Sequence, residues 1–341
     1  MNIGLFTSVY FNNIGNGFID LGAEAVLKRA MPVNYELVKI SQCANFAASM
    51  GKSFILKENL FVNWVWVNLM QKFASKFHDK TYQAISTLDV QSIAKIVDLD
   101  FMVIPGCVLT VPFFTIYGKL LEEKSKEGCK LIFMGVSGNF YTDYEVNVVS
   151  KYLEKLKPLA IMTRDSIAYN NYKNLAKYTY NGIDNVFFVN LLNIPRVKTN
   201  PESYVVVNIE EPKHKHIKNK VIKNLEKRGK NIIFSNHKPF PYSKITKLVK
   251  NGELVSDYPL DYLMLYRNAD EVYSDRVHAC IPTLSFGNKA ILFSESPRKA
   301  LFENVGVKNI DNKPIQVQDL ASKQNEQIHF LAKILVDEGI L

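Results

Sequence analysis

Short runs of apolar and β-branched residues alternate along the chain with longer stretches in which apolar residues recur every three or four positions. Short runs of this kind are typical of buried strands, and the longer stretches are typical of amphipathic helices. The alternation predicts a mostly parallel sheet that is covered by helices on both faces. In the first half of the chain the strand candidates are NIGLFTSV, VNYELVKI, DFMVIPG, CKLIFMGV, LAIMTRD and VFFVNLL.

The alternation restarts after residues 193–203, which contain two prolines and few apolar side chains and therefore indicate a linker. The strand candidates beyond it are SYVVVNIE, NIIFSNH, ELVS, EVYSD and KAILFSE. A chain of 341 residues suits two domains of ordinary size. The predicted fold class is α/β, with two Rossmann-like, doubly wound domains that face a central cleft.

The predicted domain boundaries follow from the same pattern. Residues 1–192 form an N-terminal α/β domain, and residues 204–322 form a C-terminal α/β domain. Residues 323–341 form a closing helix. Within the first domain, residues 51–97 contain two helical patterns and no strand candidate, which indicates a helical insertion or an extended crossover. Ligands of such sheets bind at the carboxyl ends of the strands.

Charge and cysteine content narrow the kinds of partner. A net charge of +9 favours an anionic partner: a phosphorylated substrate, a nucleic acid or an acidic membrane surface. The four cysteines have neither CxxC nor Cys/His ligand spacing, so no zinc site, other metal or disulfide framework is predicted.

The apolar segments predict a protein of the cytoplasm. The first residues, MNIGLFTSVYFNN, lack the basic and small-residue features of a signal peptide. The most apolar segment, residues 59–73, is interrupted by Asn63 and Asn68 and is shorter than the ~20 residues of a membrane span. We expect a cytoplasmic location, with the inner face of the membrane as a candidate contact surface.

The stretch SDRVHAC places Arg276 and His278 between a strand candidate and an apolar helix. Proline is tolerated in the first turn of a helix, so Pro282 predicts that the helix starts or kinks nearby, after these two residues. A helix N-terminus and a guanidinium both favour an anion, and an imidazole can donate a proton near neutral pH. The alternative is that Arg276 pairs with Asp275 or Asp270 and that His278 caps the helix.

A second arginine follows a strand candidate of the other predicted domain. In LAIMTRDSIAYN, Arg164 precedes Asp165, which can cap a helix that opens at Ser166. One arginine at a strand end of each domain suits a small polyanion.

Further candidates are less specific. His237 and Lys238 lie in a strand-end loop and form a plausible third wall of the anion site. Asp20 and Glu24 share a face of the first helix and are either bases for a substrate hydroxyl or solvated surface carboxylates. The basic run at 213–230 either holds an anionic partner or is the solvated face of an amphipathic helix.

Three motifs resemble those of the polysaccharide pyruvyl transferase family. SDRVHACIPTLSFGNKAILF resembles its D-R-[LV]-H signature, MTRDSIAYNNY its R-D-S motif, and NNIGNGFIDLGAEAVL its N-terminal N-x-G-D-x-x-[IL] segment. The resemblance covers nearly the whole chain in the same order, except residues 51–97. Asn16 stands where the family usually has Asp, and Pro105–Gly106 stands where it usually has a glycine pair.

The resemblance implies a GT-B-like enzyme that transfers a pyruvyl group from phosphoenolpyruvate to two sugar hydroxyls and leaves a ketal. It implies that Arg276 and Arg164 bind the donor and that His278, with Arg276, is catalytic as the proposed general acid. Phosphoenolpyruvate would be a co-substrate, with no further cofactor and no nucleic acid partner. A sugar or lipid-linked glycan would be the acceptor, on the side of the N-terminal domain, with Asn16, Asp20 and Glu24 as candidates to bind or deprotonate it.

Two other functions stay open. A nucleotide-sugar glycosyltransferase of the same fold would be expected to carry a glycine-rich loop and a carboxylate for the ribose, and neither stands out in the second domain. A non-catalytic relative is favoured by Asn16 and disfavoured by the presence of both arginines and His278.

Overall fold

The computed structural model describes residues 1–7, 13–31, 35–41, 92–237, 242–294 and 297–339. Residues 51–91, which make up most of the predicted helical insertion, lie outside the described residues. The strands are β1 (Asn2–Thr7), β2 (Glu36–Ser41), β3 (Phe101–Gly106), β4 (Lys130–Val136), β5 (Ala160–Thr163), β6 (Tyr178–Asn181), β7 (Val205–Asn208), β8 (Ile232–Ser235), β9 (Glu253–Leu254), β10 (Glu271–Ser274) and β11 (Lys289–Leu292). The α-helices are α1 (Gly15–Ala30), α2 (Val111–Lys126), α3 (Asp143–Leu156), α4 (Ser166–Tyr172), α5 (Lys215–Lys227), α6 (Tyr242–Lys250), α7 (Pro259–Asn268), α8 (Val277–Ser285) and α9 (Leu320–Asp337).

The chain forms two compact units, each built on its own sheet. Unit 1 takes its described residues from Met1–Ser8, Asn34–Met162 and Ile167–Tyr180. Over the described residues its sheet has six strands in the order β2-β1-β3-β4-β5-β6, and β1 pairs in parallel with β2 and β3, as β3 does with β4. Helices α2 and α3 cover an aromatic core in which Phe6 meets the ring of Tyr117 edge-on at 5.0 Å.

Unit 2 contains a parallel sheet with a reversal of strand order. The described strands follow the order β11-β10-β7-β8-β9, and every neighbouring pair is parallel. The first strand of this sheet, β7, therefore lies between β8 and β10. In doubly wound sheets the loops at such a reversal diverge, which leaves a binding site at the carboxyl ends of the two strands.

Helix α1 belongs to unit 2, together with Thr163–Ser166 and Asn181–Leu341. The helix packs closely on the 3₁₀ helix Asn185–Leu191, and a Cβ atom at Gly22 would lie 1.9 Å from the backbone oxygen of Asn185. This division differs from the predicted one, in which residues 1–192 are one domain and 193–203 join it to the next. The difference arises because the 3₁₀ helix packs on α8 and α9, where Ser285 Oγ and Gln324 Nε2 both donate to the carbonyl oxygen of Phe187. A sequence pattern does not report such contacts.

Ten of the eleven strands in the described residues coincide with strand candidates, and two local predictions there are wrong. The run VFFVNLL forms the 3₁₀ helix and not a strand, and β6 has no strand candidate. Phe187 and Phe188 are completely buried, as are their neighbours Val186 and Val189. A run that is apolar on every side fits a buried helix as well as a buried strand. No helix in the described ranges combines the length and apolar character needed to cross a bilayer.

Candidate functional site

A cavity of about 480 Å³ lies in unit 2 at the carboxyl ends of β7 and β10. This is the point of strand reversal, where ligands of doubly wound sheets bind. Cationic, imidazole and carboxylate side chains dominate its lining. The lining residues are Asn13, Glu211, Lys213, His214, His237, Asp275, Arg276, Val277, His278, Ser294 and Arg298.

Helix α8 brings Arg276 and His278 into this cavity. Arg276 is the N-cap residue of the helix and His278 lies in its first turn, so the predicted start near Pro282 is wrong. Pro282 lies inside the helix, where the missing N–H is unfavourable. Burial compensates, because Ala279 and Cys280 are completely buried and tertiary packing supplies most of the stability of a short helix.

Asp275 ties the turn after β7 to the end of β10. Its carboxylate accepts hydrogen bonds from the backbone N–H of Glu210 at 3.1 Å and of Glu211 at 2.8 Å. The Nδ1 atom of His214 lies 3.0 Å from the same carboxylate. Asp275 therefore shapes the cavity wall and is already occupied by these partners.

Arg276 presents its guanidinium to the cavity between two glutamates. Its Nη1 donates to Glu211 Oε1 at 3.3 Å, and its Nε lies 3.9 Å from Glu210 Oε2. These carboxylates, rather than Asp275 or Asp270, are its acidic partners among the described residues. Glu211 is exposed enough to turn away, which would let a ligand carboxylate or phosphate take its place at the guanidinium.

His278 stands at one end of a buried charged chain. Its Nε2 lies 3.7 Å from Asp184 Oδ2, which is beyond hydrogen-bond distance. The same Asp184 oxygen accepts a hydrogen bond from Arg164 Nη1 at 2.6 Å, and its other oxygen accepts one from the backbone N–H of Val186. Arg164 and Asp184 are fully buried, so the carboxylate that faces His278 is held firmly.

Gly15 makes room for the His278 ring. A Cβ atom at Gly15 would lie 2.7 Å from Nδ1 of His278, so every other residue would collide with the imidazole. The backbone N–H of the preceding residue, Ile14, donates to the carbonyl oxygen of His237 at 3.2 Å. Ile14 and Gly15 of the N-terminal motif thus contact His237 and His278.

Burial and neighbouring charges set the protonation of His237, His278 and Asp184. Burial lowers the pKa of His278, and Arg164 and Arg298 act in the same direction against the opposing effect of Asp184. Burial, together with Arg276 and His278, holds the pKa of His237 well below its ordinary value. Burial alone would raise the pKa of Asp184, but Arg164 and His278 outweigh it and hold that pKa far below its ordinary value. Without a ligand, His237 and His278 are therefore neutral and Asp184 is ionised.

The predicted donor-binding residues differ in their positions. Arg276 and His237 line the cavity, whereas Arg164 does not, because its buried guanidinium is engaged by Asp184. Direct contact between Arg164 and the donor therefore stays a prediction. Lys238 lies outside the described residues.

The three predicted acceptor residues do not line the cavity. Asn16, Asp20 and Glu24 all lie on α1, Asp20 is buried, and Glu24 pairs with Lys28 at 2.8 Å. Their role in binding or deprotonating an acceptor stays a prediction.

Several residues in or beside the cavity have no strong signal in the sequence. Asp184 is one acidic residue in the turn NGIDN, and Arg298 follows the last strand of unit 2 without a motif. Lys213 and His214 belong to the basic run, whose remainder forms α5 with Val221 and Leu225 buried, as expected for an amphipathic helix. The one sequence signal that could have marked Lys213 and His214 as site residues is their position soon after a strand end.

The lowered pKa values of His237 and His278 predict that stability decreases in acid. Both pKa values lie below the ordinary 6.5, so the unfolded chain binds more protons than the folded one once the pH falls below about 6.5. We expect the free energy of unfolding, measured by urea denaturation, to decrease from pH 8 to pH 5.5. The double variant His237→Asn/His278→Gln should flatten this profile, whereas substitution of exposed His216 by Gln should leave its slope unchanged. An equally steep profile in the double variant would contradict this explanation.

Two α/β units with parallel sheets, and a site at the strand reversal of unit 2, define a GT-B-like protein. The chain is similar to UDP-GlcNAc 2-epimerase of Methanocaldococcus jannaschii in complex with UDP-GlcNAc and UDP, with a TM-score of 0.53, 14% identity, and coverage of 98% of this chain and 100% of that one. It is also similar to the Neisseria meningitidis enzyme bound to UDP-GlcNAc, with a TM-score of 0.52, 12% identity and 99% coverage of both chains. At these identities the likeness shows the fold.

The sequence itself assigns the family. Residues 45–297 match the model of the polysaccharide pyruvyl transferase family, so the chain belongs to that family. The match includes Arg164, Arg276 and His278. A search of the curated proteins gives no significant match.

Proposed function

We propose that the protein transfers the pyruvyl group of phosphoenolpyruvate to two hydroxyls of a sugar in a polysaccharide or its precursor. The product would be a pyruvate ketal and inorganic phosphate. Membership of the polysaccharide pyruvyl transferase family supports the substrate class. The proposal includes no metal or further cofactor, a cytoplasmic location, and a glycan acceptor presented at the inner face of the membrane.

The cavity at the ends of β7 and β10 is the proposed donor site. The observation that carries this proposal is that Arg276 and His278 line the same cavity two residues apart, one as a cation and the other as a buried imidazole. A guanidinium fork matches a carboxylate or a phosphate. Lys213 and Arg298 in the same lining suit the additional charge of a phosphorylated carboxylic acid.

The proposed chemistry begins with a proton. Protonation of the methylene carbon of phosphoenolpyruvate creates an oxocarbenium-like centre at its C2 atom, which a sugar hydroxyl then attacks. Loss of phosphate and attack by a second hydroxyl complete the ketal. The two hydroxyl protons balance the reaction, because one replaces the proton given to carbon and the other leaves with phosphate.

His278 is the proposed donor of the first proton. In the unliganded protein its pKa is lowered by burial, so the charge of the ligand must restore the imidazolium form. The carboxylate and phosphate of the donor favour that form, since a nearby negative charge raises the pKa of a histidine. Asp184, held by Arg164, would orient and stabilise the charged ring.

Incubation of the full chain with phosphoenolpyruvate and candidate bacterial glycans tests the function. We expect release of inorganic phosphate and a mass increase on the glycan that corresponds to a pyruvate ketal. If the masses of the donor and of the glycan stay unchanged over a broad panel of acceptors, the proposed function is rejected.

Nucleotide-sugar chemistry is the second candidate, because the similar solved structures contain UDP or UDP-GlcNAc. The same assay separates the two functions. Glycosyl transfer would release a nucleoside diphosphate from a nucleotide sugar and would leave phosphoenolpyruvate intact. Equilibrium binding of UDP-GlcNAc in preference to phosphoenolpyruvate would favour this alternative.

Substitution of Arg276 by Lys tests the proposed donor site. The variant keeps the positive charge but loses the two parallel donors of the guanidinium, so the affinity for phosphoenolpyruvate should fall by about 1.5–3 kcal/mol. Calorimetric titration measures this loss. Arg228→Lys is the matched control, since Arg228 also pairs with an acidic residue, Glu271, and does not line the cavity. Equal donor affinity in both variants would remove Arg276 from the site.

A further inference from the structure

His237 is fixed in the wall of the cavity by its backbone and by its ring. Its backbone N–H donates to Glu210 Oε1, and its carbonyl oxygen accepts from Ile14. The side chain is completely buried. Phe18 and Tyr262 contact the ring edge-on, with centroid distances of 5.6 and 5.0 Å. The ring therefore has one orientation, and its two nitrogens face different surroundings.

The Nε2 atom of His237 is hydrogen-bonded to the phenol of Tyr266. Burial raises the pKa of Tyr266 well above its ordinary value, so the phenol keeps its proton. Among the described residues, the hydrogen-bond geometry of this phenol pairs it with His237 Nε2. The phenol proton then has His237 Nε2 as its acceptor, because a buried donor without an acceptor is costly. In this hydrogen bond Nε2 is an acceptor and carries no proton.

The other ring nitrogen has no partner in the described part of the chain. Nδ1 of His237 is buried and has no hydrogen-bond partner among the described residues, and the residue lines the cavity. A neutral imidazole carries one proton. Since Nε2 accepts from Tyr266, that proton is on Nδ1. An N–H group without an acceptor is therefore held at the wall of a cavity that also contains Arg276 and His278.

We infer that His237 is a neutral N–H donor for an anionic oxygen of the bound ligand, and that Tyr266 is the positioning residue that fixes this tautomer. The group recognised is a carboxylate or phosphate oxygen, which accepts hydrogen bonds without offering a proton. The inference deepens the proposed function by adding a specific ligand contact at the donor site. It also distinguishes His237 from His278, since His237 binds the ligand and His278 transfers a proton.

Nitrogen NMR of the full chain, labelled with ¹⁵N-histidine, tests the tautomer directly. The signals of His237 are assigned by their loss in His237→Asn. We expect the wild-type ring to be neutral with its proton on Nδ1, and Tyr266→Phe to release the ring to the Nε2–H tautomer. An Nε2–H tautomer or an imidazolium in the wild type at neutral pH would overturn the inference without any variant.

Binding measurements test the role of this proton. Asparagine can place an amide N–H close to the position of Nδ1, whereas glutamine places its amide near the position of Nε2. We expect His237→Gln to bind inorganic phosphate and phosphoenolpyruvate about ten- to a hundredfold more weakly, and His237→Asn to retain affinity within a few-fold. Thermal unfolding of both variants confirms that the fold is kept.

Separate ligands identify the group that His237 recognises. A loss of affinity for inorganic phosphate assigns the contact to a phosphate oxygen, and a loss confined to pyruvate and phosphoenolpyruvate assigns it to the carboxylate. Equal affinities of wild type and His237→Gln for all three ligands, or no binding of any of them by the wild type, would overturn the inference. Failure of the proposed function is distinguishable, since phosphate binding and the tautomer do not require turnover.

Discussion

Replacement of His278 by Gln should lower the rate of pyruvyl transfer by about 10²–10⁴-fold, the usual contribution of general acid catalysis. Glutamine can place a hydrogen-bond donor near the position of Nε2 but has no proton that titrates near neutral pH. The affinity for phosphoenolpyruvate should therefore change only a few-fold. Single-turnover kinetics measure the rate, and calorimetric titration measures the affinity.

Two controls make this result specific. His216→Gln removes an exposed histidine of α5 and should leave both quantities unchanged. Titration of the wild type with phosphoenolpyruvate in buffers of different ionisation enthalpy should show uptake of a proton, which His278→Gln should lose. If the His278→Gln variant keeps most of its activity, the role of His278 is hydrogen bonding and not proton transfer.

Replacement of Asp184 by Asn should lower the free energy of unfolding by about 3–5 kcal/mol, because it leaves the Arg164 guanidinium buried without a counter-charge. The variant should also lose activity, since the carboxylate that faces His278 Nε2 is removed. Urea denaturation measures the first effect and single-turnover kinetics the second. Asp311→Asn is the matched control, because Asp311 pairs with Lys299 at 2.7 Å on the surface and should contribute about 1 kcal/mol or less.

The double variant Arg164→Met/Asp184→Asn separates charge from packing. Removal of both charges should restore part of the stability that Asp184→Asn loses, since no unpaired buried charge remains. It should not restore activity, because the carboxylate beside His278 is still absent. If Asp184→Asn were no more destabilising than Asp311→Asn, the buried pair would not have the structural role assigned to it.

The arrangement of strands is largely readable from the sequence because strand length and burial leave a local pattern. β7 and β10 each appear as a short apolar run, and Arg276 and His278 are visible because they follow such a run directly. The 3₁₀ helix Asn185–Leu191 is misread because its four consecutive apolar residues, 186–189, are all buried and no periodicity remains.

The sequence reveals only some of the charged residues of the site, because residues that contact each other there are distant in the chain. Asp184 is separated from Arg164 by 20 residues, and from His278 by a much longer stretch. Nothing in the turn NGIDN marks this residue as the counter-charge of a buried arginine. The role of Gly15 is likewise set by the His278 ring packed against it, a contact made only in the folded chain.

The presence of α1 in unit 2 also bears on how this protein can be divided or recombined. A fragment that begins after the predicted linker would lack the helix that packs against His237 and His278, along with Arg164 and Asp184. Such a fragment would therefore hold only part of unit 2. Hybrids between relatives that exchange the C-terminal half alone would join one protein's α1 to another protein's His278, and the contact at Gly15 would have to be matched for the ring to fit.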